Sequence, residues 1–468
     1  MRIKKKHLFL LVILSVGSIF RIHGLPAPSL SSDEAFSVRV ARLSYAGIVN
    51  DCAKDVHPPL YYFVLHDWIG VFGDSESSVR GLSVLFGVLS IYLVFLLGTR
   101  LFDSHTGIVS AILLAVSSLH IQYSQNARMY TLLLSLSLLS VHIYVGMMTR
   151  KGKAGRKTTV GLFVINALLL YTHVYGFFVV LFELSWSLFS FVRDRRRIDA
   201  GYHLWPIALS LVSFLPWAGV LLLEKSERPD SWLPLPGVLE IARGFSGNDW
   251  LLVTFVSLFF MPLFRKKTMT ESVVLVHIIM TFTVVIPLMV SLLVFHAFRL
   301  RFLIFPSALF YIVIAYSFNT IRTRSVRIFV ACFIGITALF PIDDYYRSPS
   351  LTDWRGATAY LDTMASSNDL LIFNAGYTLE NGFEYYSRRN DIRKIAFPRL
   401  SARINIPVDG ENIRELDGPL SEGYENVWVV YCDQKDFDSR IIGKLETYGY
   451  VYSEDEELNG IQILKFGH

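Results

Sequence analysis

From about residue 7 to about residue 341, long apolar runs alternate with short polar clusters. A helix needs roughly 17 to 25 predominantly apolar residues to cross the hydrocarbon core of a bilayer. About eleven windows of that kind occur, near residues 7–25, 79–101, 106–122, 129–148, 159–173, 175–192, 204–223, 250–264, 272–296, 301–319 and 325–341. The stretch from Thr159 to Val192 is continuous except for "YTHVYG", which splits it into two helices with a turn at one face. After Pro341 the pattern changes: "DLLIFNAG", "NVWVVYCD" and "IQILKFG" read as strands, whereas "DWRGATAYLDTMASS" and "DFDSRIIGKLETYG" have helical spacing. The pattern predicts a polytopic α-helical membrane region over 1–341 and a small soluble α/β domain over 342–468. Strands alternating with helices predict a parallel, Rossmann-like sheet there. No G-x-G-x-x-G follows a strand, so nucleotide binding by that domain is unsupported.

Composition agrees with a membrane protein, since 53% of the 468 residues are hydrophobic and only 18% charged. The net charge of +5 does not point to nucleic acid, because the basic residues lie in short clusters between apolar runs. They fall on alternate sides. With the N-terminus inside, the inner segments carry Arg2 and Lys4 to Lys6, then Arg100, "RKGKAGRK", "RDRRR", "RKK" and the arginines at 322, 324 and 327. Most acids fall on the other side, among them Asp51, Asp67, Asp74, Glu76, Glu224, Glu227 and Asp230. That is the positive-inside pattern of a plasma membrane protein with a cytoplasmic N-terminus, and it puts the 342–468 domain outside the cytoplasm. The first apolar run reads as an uncleaved span, because its small-residue cleavage pattern is poor. Three cysteines make no disulfide framework, although Cys52 and Cys432 both fall on the outer side.

The same alternation places "SSDEAF", "DVHPPLYY", "SQNARMY", "YTHVYG" and "RLRFLIFP" on the outer face. In the long first outer loop, 26–78, Phe36, Val40 and Leu43 recur at helical spacing opposite Arg39 and Arg42. That spacing predicts a helix lying in the interface plane, with Asp33 and Glu34 in its first turn. Either Ser31 or Ser32 can cap such a helix, and acids are ordinary in a first turn, so helix chemistry alone explains the pair. The companion stretch adds Asp55 and His57 just before a Pro-Pro step, a stiff position of the kind functional sites favour.

The order DE, HPPL, "SQNARMY", "YTHVYG" and "RLRFLIFP", spread over many spans with an outer tail, resembles the GT-C superfamily of integral membrane glycosyltransferases. It is most similar to the family holding the dolichyl-phosphate-mannose protein mannosyltransferases and the lipid A aminoarabinose transferases. The resemblance implies transfer of one sugar from a polyprenyl-phosphate donor to a hydroxyl of a protein, lipid or glycan acceptor on the outer side, with inversion. Asp33 matches the position of the base, with Glu34 as its support. His57, Arg128 and Arg301 are the implied contacts of the lipid phosphate, with Arg299 a second choice, and Tyr130, His173 and Asp55 face the same cavity. Grooves between the spans would hold the polyprenyl chain. Some relatives use a divalent cation. Asp55 and His57 are ligand types, but the chain offers no dense cluster of them. The histidine of HPP is a lysine in the aminoarabinose transferases, and a neutral imidazole contacts phosphate without a full charge. Two other classes fit the spans, a lipid-linked sugar flippase and a non-catalytic assembly partner. A flippase would carry its polar residues near the bilayer midplane, whereas this chain gathers them at one face.

Overall fold

The computed structural model describes residues 2–55, 57–149, 155–193, 200–225, 236–264, 268–293, 298–347, 352–373, 378–397, 412–432 and 439–468. The basic clusters at 150–154, 194–197 and 265–267, together with Glu227 and Asp230, lie outside the described residues. Two compact units result: Met1–Leu25 with Leu43–Ser348, and Pro26–Arg42 with Pro349–His468.

Each apolar window of the sequence falls on one or more helices over its described residues. In chain order the helices are α1 (Arg2–Ile22), α2 (Ser32–Ala41), α3 (Tyr45–Asp55), α4 (Leu60–Phe72), α5 (Glu76–Leu101) and α6 (Ser104–Ala115). Then come α7 (Ser118–Ser124), α8 (Tyr130–Met148), α9 (Arg156–Thr172), α10 (Gly176–Arg193), α11 (Ala200–Lys225) and α12 (Val238–Ser246). Next are α13 (Asp249–Phe264), α14 (Glu271–Met280), α15 (Ile286–Leu293), α16 (Ile304–Thr320), α17 (Arg324–Arg347) and α18 (Trp354–Met364), and shorter helices follow at Glu384–Tyr386, Asp417–Leu420 and Ser439–Thr447. Among the described residues six helical stretches are long and apolar enough to cross a membrane, or eight if two bent pairs each form one span. The count of eleven expected from hydropathy is therefore not reached on length and composition. The bent pairs are α6 with α7, at 63°, and α12 with α13, at 86°.

Two sets of buried polar groups inside the helical unit satisfy one another, as a bilayer favours. At the break between α6 and α7 the carbonyls of Leu114 and Ala115 accept from the buried Arg21 guanidinium at 3.1 and 3.0 Å. Arg21 Nε donates to Ser124 Oγ, and Nη1 also donates to Gly17 O. Gln125 returns the favour to α1, its Nε2 donating to the last carbonyls at Arg21 (3.0 Å) and His23 (2.7 Å). A second buried set joins α8, α9 and α10: Ser140 Oγ contacts both Asn166 Oδ1 and Glu183 Oε1, and Asn166 Nδ2 donates to Glu183 Oε2 at 2.6 Å. Three contacts close this ring, but Ser140 has one proton to give and Asn166 offers one N–H toward it. The ring closes with all three as hydrogen bonds when Glu183 carries its own proton.

In the second unit the sheet is mixed and has the order β2-β1-β3-β5-β4. Its strands are β1 (Leu370–Phe373), β2 (Arg393–Ala396), β3 (Asn426–Cys432), β4 (Val451–Leu458) and β5 (Ile461–Gly467). β1 pairs parallel with β2 and β3, whereas β5 pairs antiparallel with β3 and β4. The fully parallel sheet expected from alternation is thus corrected at β4 and β5. The hairpin turn at Asn459 and Gly460, both with positive φ, returns the chain directly without a crossover helix. β4 is the edge strand, mostly exposed, and carries Glu454, Asp455, Glu456 and Glu457.

The interfacial helix expected over the first outer loop is instead two helices. Arg42 ends α2, and Ser44 Oγ then accepts from Gly47 N, capping α3. The N-terminal approach and α2 belong to the second unit rather than to the helical one. There Ser29 Oγ donates to Thr352 O, Trp354 Nε1 donates to Ser32 Oγ, and Arg39 Nε donates to Asn381 Oδ1. Cys52 and Cys432 are both buried, and neither is in a disulfide.

Under the sheet, Asp369 accepts from Ser366 N and Oγ, Asn426 N and Nδ2, and Trp428 Nε1 at 2.9 to 3.2 Å. Burial works to raise its pKa, but these donors outweigh burial and hold the carboxyl below its ordinary value. Stability from a depressed carboxyl is present above the unfolded value and is lost as pH falls through the folded one. Thermal unfolding of the full chain, followed by tryptophan fluorescence, should therefore lose stability below about pH 4, and Asp369→Asn should reduce that acid sensitivity. In the helical unit, Glu183→Gln should unfold within about 1 kcal/mol of wild type, because a neutral amide makes the same three hydrogen bonds. Glu183→Ala should cost about 2–4 kcal/mol by orphaning Ser140 and Asn166.

Candidate active site

The Pro-Pro step fixes the entry to α4: Pro59 is its N-cap, and a proline ring cannot extend a helix backward. Just before it, His57 Nδ1 lies 2.8 Å from Asp55 Oδ2 and 3.0 Å from Asp55 O. Both neighbours are acceptors, so Nδ1 carries the proton and Nε2 is the ring's remaining polar atom. His173 follows the end of α9, where the helix stops because the residue takes an extended conformation. Its Nδ1 accepts from Tyr175 N at 3.0 Å. A backbone N–H only donates, so His173 carries its proton on Nε2 and is a neutral donor. The two histidines therefore hold opposite tautomers, with ring centroids 6.3 Å apart.

Tyr130 opens α8 and lies 6.1 Å from the His173 ring, centroid to centroid. Arg301 Nη1 donates to Tyr130 Oη at 2.9 Å, and the guanidinium carbon sits 5.9 Å from that ring. Arg128 is buried, and it acts electrostatically on His173 together with His57 and Arg301. Arg299 donates through Nη1 to Phe298 O, and burial followed by the charge of Arg301 lowers its pKa. Arginines that depress one another in this way gain from a bound anion. Thus Asp55, His57, Arg128, Tyr130, His173, Arg299 and Arg301, spread over nearly 250 positions of sequence, are brought together in the helical unit.

Several neighbours were not singled out from the sequence. Tyr62 is buried and feels Arg128, Asp55 and Tyr130. Phe302 packs on His173 at 5.3 Å and stacks on Tyr175 at 5.3 Å. Tyr123 sits edge-on to Tyr130 at 5.1 Å. Each is adjacent to, or a few residues from, a motif residue, and that adjacency was the available signal. Together they form an aromatic wall that lowers the local dielectric and strengthens the cationic side chains.

Asp33 and Glu34 lie in the other unit, in the first turn of α2. Their environments differ. Glu34 is fully buried, and its Oε2 accepts from Ser31 N at 3.0 Å and Ser31 Oγ at 3.1 Å, while Ser31 Oγ accepts from Glu34 N. This is a reciprocal capping box, so the Glu34 carboxylate is committed to the helix. Asp33 is outside that box and half-buried. Among the described residues no group of three or more His, Cys, Asp or Glu gathers to hold a metal ion. Asp55 and His57 bond to each other, and this donor set does not fit a metal site.

Residues 56–219 match the family model described as dolichyl-phosphate-mannose-protein mannosyltransferase, a segment containing His57, Arg128, Tyr130 and His173. No curated protein matches the chain. Among solved structures it is similar to ArnT from Cupriavidus metallidurans in the apo state, at 12% identity and a TM-score of 0.63, covering 98% of this chain and 97% of that one. The same ArnT bound to undecaprenyl phosphate aligns at 11% identity and a TM-score of 0.62, with the same coverage. The Archaeoglobus fulgidus oligosaccharyltransferase tethered with an acceptor peptide aligns at 11% identity and a TM-score of 0.61, over 90% of this chain and 68% of that one. At these identities the likeness is one of fold.

Nitrogen-15 spectra of histidine-labelled protein at pH 7 should show protonated Nδ1 on His57 and the Nε2–H tautomer on His173. Asp55→Ala should release the first assignment and leave the second unchanged.

Proposed function

We infer, for a chain whose fold and matched segment are those of the GT-C superfamily of glycosyltransferases, that it moves one sugar from a polyprenyl-phosphate carrier to an acceptor hydroxyl at the outer face of the membrane. The observation that carries this reading is the convergence of His57, Tyr130, His173 and Arg301 in one aromatic-walled cluster. Such a cluster suits a phosphate monoester or diester at the bilayer boundary.

The reaction is one in-line displacement with inversion. The acceptor oxygen bonds to the anomeric carbon as the carbon–oxygen bond to phosphate breaks, and that electron pair leaves with the polyprenyl phosphate. The acceptor proton goes to Asp33, the carboxylate that matches the position of the base in the family the chain resembles. A positioned base contributes about a hundred- to ten-thousandfold. The remainder falls to the cations, each worth about 2–4 kcal/mol where charge develops on the leaving phosphate. Arg301 and Arg128 supply fixed charge, with Arg299 beside them. His173 donates a neutral hydrogen bond from Nε2. His57, oriented by Asp55, donates from Nε2 only when doubly protonated, which answers for the lysine of the aminoarabinose transferases. Glu34 supports Asp33 through the helix and takes no proton.

The unit formed by Pro26–Arg42 and Pro349–His468 is the extracytoplasmic domain in this reading, and it takes part in choosing a protein, lipid or glycan acceptor. Sugar transfer to membrane extracts from a panel of radiolabelled polyprenyl-phosphate sugars tests these roles. Asp33→Asn should lower transfer at least a hundredfold while undecaprenyl phosphate still binds. Glu34→Gln should keep most of it, because glutamine at this position preserves the cap. The reverse order would make Glu34 the base, and transfer from no donor would remove the glycosyltransferase reading.

A further inference from the structure

We propose that the C-terminal part of the chain is the mount of the base, with the Trp354 indole as a positioning residue for Asp33, an assignment that rests on the role given above to Asp33. Ser32 and Trp354 are 322 positions apart in sequence, yet both belong to the unit formed by Pro26–Arg42 and Pro349–His468. Within that unit the approach to α2 and the helix itself are tied down along their length. Ser29 Oγ donates to Thr352 O at 2.7 Å and accepts from Trp354 N at 3.1 Å. Leu30 N donates to Tyr386 Oη at 2.6 Å. Trp354 Nε1 donates to Ser32 Oγ at 3.1 Å, and Arg39 Nε donates to Asn381 Oδ1 at 2.9 Å.

Asp33 stands between two held neighbours. Ser32 before it is tied to Trp354, Glu34 after it is closed in the capping box, and its own carbonyl accepts from Ser37 Oγ at 3.1 Å. The backbone that carries the carboxylate is thereby fixed from both sides. Trp354 is itself immobilised: its side chain is fully buried in a core with Leu361, Phe373, Phe383 and Trp428. At Gly382, in the π-helical turn Leu379–Phe383, a Cβ would stand 2.4 to 2.8 Å from three carbons of the indole, so the ring occupies space that any other residue there would take. A ring held this closely fixes the direction of its N–H, and with it Ser32. A buried indole needs an acceptor, and Ser32 meets that need. The capping box already starts α2 through Ser31 and Glu34, however, so the tie at Ser32 adds orientation rather than helix. Orientation is what a general base requires, since a misplacement of about 1 Å can cost about a hundredfold in rate.

The test uses the full chain in lipid nanodiscs, with the radiolabelled polyprenyl-phosphate sugar that is active in the panel above and membrane extract as acceptor. Rates are divided by the amount of protein that binds undecaprenyl phosphate, so that misfolded protein does not count. Trp354→Phe keeps a ring in the core and removes the N–H; it should lower kcat about tenfold and leave KM for the donor within about twofold. Should Trp354→Phe not fold, Ser32→Ala removes the same hydrogen bond from the other side with the same expected loss, and Ser32→Thr, which keeps the acceptor oxygen, should retain most of kcat. In an Asp33→Asn background either loss should shrink to less than about twofold, because no base is left to place. Wild-type kcat in Trp354→Phe and Ser32→Ala, or a full tenfold loss on top of Asp33→Asn, overturns the mount and leaves Asp33 as the base. Wild-type kcat in Asp33→Asn, or no active donor in the panel, overturns the reading on which the mount rests.

Discussion

The helical unit depends on one buried cation. Where α6 breaks from α7, two carbonyls lose their helical donors in a place that water does not reach, and Arg21 supplies the missing hydrogens. A buried guanidinium is costly unless every donor finds an acceptor, so the break and the arginine justify each other. The exchange is mutual, since Gln125 at the far end of α7 closes the last turn of α1. The chain is thereby re-aimed over a few residues, and the turn that follows delivers Arg128 and Tyr130 to the neighbourhood of His173.

The cluster shows how a rigid scaffold divides labour between like side chains. Two histidines stand a ring apart, yet a carboxylate on one and a peptide N–H on the other assign them opposite protons. The two acids of the DE pair are separated by the same kind of local chemistry. A serine takes Glu34 into the start of α2, and Asp33 stays outside that capping box. Neither distinction needs a distant interaction. Hydrogen-bond inventory within a few residues decides both.

Much of this was legible in the sequence and some was not, for identifiable reasons. Apolar length located every long helix, because backbone satisfaction in a bilayer leaves few other solutions. The count of eleven crossings is not confirmed, since the window at 106–122 falls on the bent pair α6 and α7 and that at 175–192 on the shorter helix α10. The strands β1, β3 and β5 announced themselves by apolar runs, but β4 is an exposed acidic edge and β2 a short basic one, and neither carries a core signature. The parallel sheet was inferred from alternation, and a two-residue turn at Asn459 and Gly460 defeated it. The first outer loop was read as one helix because Phe36, Val40 and Leu43 share a period, while the small cap at Ser44 was overlooked. The motif residues HPPL, "SQNARMY", "YTHVYG" and "RLRFLIFP" did meet, but nothing in a one-dimensional pattern reports which ring nitrogen holds a proton.

The acidic edge of the sheet has a consequence for how many copies can share a membrane surface. β4 presents unpaired backbone groups along its outer side, which is the template on which an identical strand would grow. Glu454, Asp455, Glu456 and Glu457 set like charges against any second β4 arriving there. The opposite edge, β2, is basic and would attract it, but Arg393 is already paired with Glu422 and Lys394 Nζ with the carbonyl of Arg389. Like charge along β4 thus opposes the pairing of two β4 edges.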